Sequence, residues 1–407
     1  MARPTVALLV TAYFFGSHAD VLGTRMIEGY EWDGEALAQP RVRVASMYLE
    51  QPAGAPLRAG QEMLPDIGVG IAERSGVPLY PTVGEAIGLG QGGVAVDGVV
   101  IIGEHGDYED NEYGQKLYPR RRLFDAAVAT MVGAGRTVPV FNDKHLGYSV
   151  TDARAIVGTA SRLGVPMVAG STIPLTWRLP TGTEWPLGEP MTAAVTVGYG
   201  DVESYGFHAL EGHQAHVERR SGGETGVASV RALTGDAARS ACADGTVDAG
   251  LLTAALSRFD LDPAGRARAV EAVADVFLID YTDGLTSAVV ICRDVIGNWA
   301  SACRGPRHEM SCQMWLPGAR PGLPSDHFAF LARQIETLVL TGQSPYPIER
   351  TLLTTCILDV AMRSRHAGGI AVSNPALAVT YAPVADVPDT GVQSRYPEPV
   401  RWSAPPA

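Results

Sequence analysis

The chain predicts an α/β protein, with an N-terminal doubly wound parallel sheet followed by an α+β domain on a mainly antiparallel sheet. Three observations carry this. Short apolar runs such as Val6-Ala7-Leu8-Leu9-Val10 and Val99-Val100-Ile101-Ile102 alternate with amphipathic stretches through the first 150 residues, as in repeated βα units. Later strand-like segments alternate apolar and polar residues, as half-exposed antiparallel strands do. At 407 residues the chain is too long for one ordinary core, so two domains are expected.

The elements follow in order. Residues 5–12 read as a strand, 18–28 as an amphipathic helix and 41–49 as a second strand. Residues 61–75 read as a helix ending at Gly76, Val77 to Tyr80 as a short strand and 82–88 as a short helix. The strand at 97–102 precedes a polar segment, 104–118, too long for a routine connection and read as a functional loop or lid. A helix at 119–133 has Pro119 in its first turn and Gly135 past its end; a strand at 137–141 follows. Residues 151–163 read as a helix and 165–170 as a strand, while 172–190 are irregular. A His-rich helix is expected at 204–220, then strands at 226–233, 276–281, 286–293, 298–303 and 309–315. Two helices, 327–341 and 347–365, are separated by Gly342 to Pro345. The division is residues 1–150 for the parallel-sheet domain, 151–385 for the α+β domain and 386–407 for a Pro-rich extended tail.

Composition excludes several classes. Net charge is −12, and the basic run Arg120-Arg121-Arg122 reads as a solvated helix start, so nucleic acid is not an expected partner. The five cysteines form no C-x-x-C pair and suit free thiols in a reducing cytoplasm. No run approaches the ~20 apolar residues of a membrane span. The apolar stretch from Arg3 to Phe15 reads as a first strand rather than a signal peptide.

Chemistry concentrates where three apolar runs end. They lead into Gly16-Ser17-His18-Ala19-Asp20, Gly103-Glu104-His105-Gly106-Asp107 and Asn142-Asp143-Lys144-His145. Ligands bind at the carboxyl ends of strands in an open α/β sheet, so these motifs should converge on one crevice. A partly buried Lys144 can act as acid or base. His208 and Glu211 share a helix face, where the carboxylate could orient the imidazole. His18, Glu104, His105 and His145 form a candidate set for zinc, manganese or iron. His213 and His216 read as an ordinary helical pair. Asp107, Asp143, Trp177 and Arg178 are candidates for lining a polar substrate.

The layout resembles the family of glucose–fructose oxidoreductase, inositol dehydrogenase and related sugar oxidoreductases over nearly the whole chain. Asp97-Gly-Val-Val-Ile-Ile looks like the strand leading to the nicotinamide edge. The segment from Gly135 to His145 looks like "GKHV…EKP", with Asp143-Lys144-His145 in place of Glu-Lys-Pro. Ser204 to Glu211 resembles the helix "D-x-G-x-H-x-x-D", and His327-Phe328 with Glu349-Arg350-Thr351 resembles the C-terminal helical pair. The resemblance implies a Rossmann-like domain followed by a large, open, mainly antiparallel sheet. It implies NAD or NADP as cofactor and a sugar, polyol or similar small polar substrate. It also implies Lys144 and His208 as the proton-handling pair, with His145 and Glu211 beside them. An open sheet face needs covering, so a homodimer or higher homo-oligomer is expected.

The departures are specific. Thr11-Ala12-Tyr13-Phe14-Phe15-Gly16 stands where G-x-G-x-x-G should run, with aromatics in place of glycines. Gly16, Ser17, His18, Glu104 and His105 remain the candidate cofactor edge, with Glu50 as the acidic residue for a ribose. Ser204 replaces the helix aspartate. The alternative is a metal-dependent lyase, hydrolase or isomerase on the same scaffold, using His18, Glu104, His105 or His145.

Overall fold

The computed structural model describes residues 2–32, 35–57, 60–316 and 325–392. Five parallel strands form the first sheet, in the order Arg43–Leu49, Thr5–Val10, Gly98–Ile102, Val140–Asp143, Met167–Gly170. Its strands are apolar on both faces because both faces are covered. Ala7, Leu9, Val99 and Ile101 pack against helices Val83–Gly88, Arg120–Ala134 and Val150–Leu163. Val6, Leu8, Val100 and Ile102 pack against Phe328, Leu331, Ile335 and Leu338 of helix Phe328–Thr341. Two elements from beyond residue 150 therefore complete this layer: its fifth strand and a C-terminal helix.

The second sheet has seven strands, ordered Trp177–Leu179, Glu309–Trp315, Trp299–Arg304, Ala193–Tyr199, Thr286–Cys292, Val273–Tyr281, Val227–Thr234. Every neighbouring pair is antiparallel except Ala193–Tyr199 with Thr286–Cys292. One face carries helix Ser204–Val217, which helix Ile348–His366 backs. The other face is not open. Helices Gly235–Ala243, Ala249–Leu256 and Pro263–Glu271 lie over it, with Leu251, Leu252 and Ala255 against Val195, Val197, Val290 and Ala302. The expected oligomer rested on an uncovered face, and the chain's own helices remove that reason.

Several elements differ from expectation. The helix read at 61–75 begins only at Gly68, since residues 63–64 pair with 55–56 in a small hairpin. The helix at 18–28 opens as a π-helical turn, Ala19–Thr24, before Arg25–Glu28. Strands Trp177–Leu179 and Ala193–Tyr199, and the three helices over the outer face, were not expected. Of the tail 386–407, residues 393–407 lie outside the described residues. Residues 388–391 pack back on the molecule: Gln334 donates to the carbonyls of Pro388 and Asp389, and Gly391 N–H to that of Leu175. All five cysteines are buried and free. No helix among the described residues is long and apolar enough to cross a membrane.

Candidate active site

The carboxyl ends of the first, third and fourth strands open into a cavity of about 750 Å³ between the two sheets. Gly16, His18, Glu104, His105, Lys144 and His208 all line it. Two adjacent strand ends turn in by the same device. His105 (φ 68°) and Lys144 (φ 59°) are left-handed non-glycine residues, a conformation that costs of order 1 kcal/mol and clusters at functional sites. Asn142 fixes the second turn by donating to the carbonyls of Asp143 and His145. Lys144 N–H then bonds Gly170 O at 3.1 Å.

Lys144 is 4% exposed, and its Nζ donates to Glu104 Oε1 at 2.6 Å and to Ser204 Oγ at 3.0 Å. Arg120 grips the other oxygen of the same carboxylate. Burial alone would raise the Glu104 carboxyl, but Lys144 and Arg120 together hold it well below its ordinary value. Arg120 also donates to His145 Nε2 at 3.0 Å, and Glu203 Oε1 sits 3.2 Å from that nitrogen. Burial and the neighbouring guanidinium push His145 down, so its imidazole is neutral. Gly103 makes room for this, because a Cβ there would lie 2.9 Å from Arg120 Cγ. Arg120 is fully buried, which corrects its reading as part of a solvated run; Arg121 and Arg122 form the surface pairs, with Asp152 and Glu50. Helical spacing carried the signal, since Arg120 shares a face with Leu123, Phe124 and Ala127.

His18 Nδ1 bonds Asp143 Oδ2 at 2.7 Å. His208 Nδ1 meets Ser171 Oγ at 2.6 Å. The two rings lie near-parallel, their centroids 6.1 Å apart. Burial pushes His208 well below its ordinary value and His105 to about 3, so both are neutral at pH 7. Tyr199, Tyr205 and Trp299 form an aromatic wall beside His208, with Tyr205 stacked on Trp299 at 6.0 Å and 16°. The segment 104–118 supplies the rim through Asp110, Lys116 and Tyr118, and Lys116 pairs with Asp110 at 2.8 Å. Reading the sequence gave no site role to Ser171, Ser204, the aromatic wall or His327. The last lines the cavity with its ring pushed by burial to about 3.

Other candidates lie elsewhere. His145 and Glu211 do not line the cavity. Glu211 accepts from Ser171 N–H and Thr354 Oγ1, so Ser171 stands between it and the imidazole it was expected to orient. Asp107 is exposed, its N–H bonded to Gln51. Arg178 spends its guanidinium on the carbonyls of Pro174 and Thr176, and Trp177 packs on Trp315 and Phe330, so neither faces substrate. The metal set is not assembled: Glu104 is taken by two cations and His145 by Arg120. Among the described residues no group of three or more His, Cys, Asp or Glu is arranged to hold a metal ion. His213 is also used internally, between Thr196 and Ser287.

A dinucleotide would place its pyrophosphate over the loop after the first strand. That loop is committed to the protein. Gly16 N–H goes to the Asp20 carboxylate, and the N–H groups of Phe14 and Asp20 go to Ser17 Oγ. Phe14 is buried against Ala12, Ala55 and Leu64, and Tyr13 packs against Gly68. Glu50 is bound by Arg122 and Tyr108. These residues do not fit a pyrophosphate in the glycine-loop pose. The strand-end residues further along, Glu104, His105 and Lys144, still line the cavity.

No family model matches this chain, and no curated protein matches it in sequence. Solved structures do match in fold. GenD2 from gentamicin A biosynthesis, solved with NAD, is 17% identical, with 92% of this chain and 97% of that one covered and a TM-score of 0.56. Scyllo-inositol dehydrogenase from Lactobacillus casei is 10% identical, covering 92% and 99%, at 0.56. Myo-inositol 2-dehydrogenase from Lactobacillus plantarum is 11% identical, covering 91% and 99%, at 0.54. The chain thus has the two-domain fold of the inositol-dehydrogenase type of sugar and polyol oxidoreductases, a Rossmann-like domain joined to a mainly antiparallel sheet.

Proposed function

We propose that the protein is an oxidoreductase acting on a sugar, polyol or similar small polar metabolite. The observation that carries this is the convergence of Lys144 and His208 on one cavity at the strand ends of a dehydrogenase fold. The aromatic wall suits the C–H face of a sugar ring, and the neighbouring imidazoles and ammonium suit its hydroxyls. With Arg120 on Glu104 counted, Glu104, Asp110, Asp201 and Glu203 face Lys116, Lys144 and Arg120, so no excess of cations is left to hold a sugar acid or phosphate, which favours a neutral or cationic substrate. NAD or NADP is the cofactor this reading carries over from the structural neighbours. It would supply or accept hydride, held by contacts other than a glycine loop. The metal-dependent alternative finds no assembled ligand set to favour it.

The test has two parts. Freshly purified protein is denatured and any released dinucleotide quantified by mass spectrometry. Native protein is then assayed with NAD and NADP against neutral polyols, amino sugars and sugar acids, following nicotinamide reduction. Turnover of neutral or amino polyols, lost at least ~100-fold in Lys144→Met, is the expected result. No retained dinucleotide and no NAD(P)-linked turnover of any class would sink the reading.

A further inference from the structure

The hydrogen-bond pattern of the two cavity histidines gives them opposite roles. Asp143 is buried, and its carboxylate accepts from His18 Nδ1 at 2.7 Å, so the His18 proton sits on Nδ1. His18 Nε2 has no hydrogen-bond partner among the described residues and belongs to a side chain lining the cavity. It therefore offers a lone pair. His208 is set the other way. Ser171 Oγ already accepts from Ile173 N–H at 3.1 Å, and among the described residues the only acceptor near its hydroxyl hydrogen is His208 Nδ1 at 2.6 Å. A Ser171 hydroxyl that donates to His208 Nδ1 satisfies both groups and puts the His208 proton on Nε2.

We propose that His18 is the group that takes the substrate's proton, with Asp143 as its positioning residue and His208 as the opposing hydrogen-bond donor. The substrate O–H bond breaks and an N–H bond forms at His18 Nε2. The electron pair stays on the substrate oxygen, beside the Lys144 ammonium that Glu104 holds in place. The step is a proton transfer and needs no oxidant of its own. A buried carboxylate behind an imidazole fixes its tautomer and stabilises the imidazolium that forms. His18 is well built for this: Phe328 packs edge-on at 5.2 Å and His105 at 5.8 Å, which fix the ring plane. Lys144 is then the binding cation, its ammonium tied by Glu104 and Ser204.

The role rests on the oxidoreductase reading, but the proton placement does not, so the first measurement needs neither substrate nor cofactor. Long-range proton–nitrogen correlation spectra of the full chain, labelled at histidine nitrogen, are recorded at roughly pH 8.5, about two units above the ordinary imidazole value. His18→Gln and His208→Gln assign the two signals. We expect His18 protonated at Nδ1 alone and His208 at Nε2 alone. Any other placement in the wild-type chain overturns the proposal. Once a substrate is in hand, His18→Gln should lower kcat by at least ~100-fold with KM changed only a few-fold. A His18→Gln enzyme retaining kcat within a few-fold would overturn the role even with the tautomers as stated.

Discussion

At the residue scale, the cavity floor is an ion cluster whose members depend on one another. Glu104 is buried with two cations, and removing either leaves an imperfectly compensated charge. Arg120→Leu should therefore destabilise the protein by about 3 kcal/mol, read by urea unfolding at pH 7. The same variant tests the electrostatics. The folded Glu104 carboxyl lies below its unfolded value, so its contribution is complete above about pH 4.3 and is lost as pH falls through the folded value. With Arg120 gone that carboxyl rises, and stability should fall less steeply in acid than in the parent. An unchanged acid slope would show that Lys144 alone sets the Glu104 value. How much of this cluster was legible differs by residue. Lys144 and Glu104 stood at the ends of apolar runs, where a parallel sheet puts its ligands. Arg120 was hidden in a charge run, Ser171 is a residue type too common to single out, and Ser204 stood out only as the replacement for an aspartate.

At the element scale, the fifth parallel strand and helix Ser204–Val217 meet through a glycine. Gly170 has φ 116°, and a Cβ there would lie 2.4 Å from Glu211 Oε2 and 2.6 Å from Thr351 Oγ1. Both atoms are buried and hydrogen-bonded, so neither yields cheaply. Gly170→Ala should cost about 2 kcal/mol or more by thermal or urea unfolding. It should also move Ser171 and so disturb the Ser171–His208 bond. A variant within ~0.5 kcal/mol of the parent would mean that the strand end relaxes freely. Element existence was readable in the parallel half, where period and length agree. It was unreadable for Ala193–Tyr199 and the three covering helices. There Ala249–Leu256 and Pro263–Glu271 are short and weakly periodic, so contact with the sheet decides their state, whereas Gly235–Ala243 carries a helical period over too short a stretch to stand out.

At the scale of the whole molecule, buried histidines couple stability to pH. His213 is held at about 3 because it is desolvated, and His208 and His216 are also pushed far down. A lowered folded value means the unfolded chain binds the proton first. The stability these groups contribute is therefore complete above about pH 6.5 and lost as pH falls toward 3. His213→Gln should reduce the slope of stability against pH in that window by about 1.4 kcal/mol per unit. An identical slope in parent and variant would place the acid sensitivity elsewhere. The covered outer sheet makes a further expectation. If light scattering finds a homo-oligomer, its contact must use a surface other than this sheet face, and substitutions at Leu252 on the covered face should leave the mass unchanged.

The amino-acid sequence by itself determined the layered α/β plan and the strand ends that carry the chemistry. Both follow from local periodicity and from the rule that a parallel sheet presents its ligands at its carboxyl edge. Tertiary structure alone decided which polar groups are spent on the protein and which face the cavity. Glu50 and Glu211 look as available in sequence as His18 and Lys144, yet each is consumed by partners far away in the chain. A polar side chain's role depends on whether its hydrogen-bonding capacity is already satisfied, and that is settled by long-range packing rather than by neighbours in sequence.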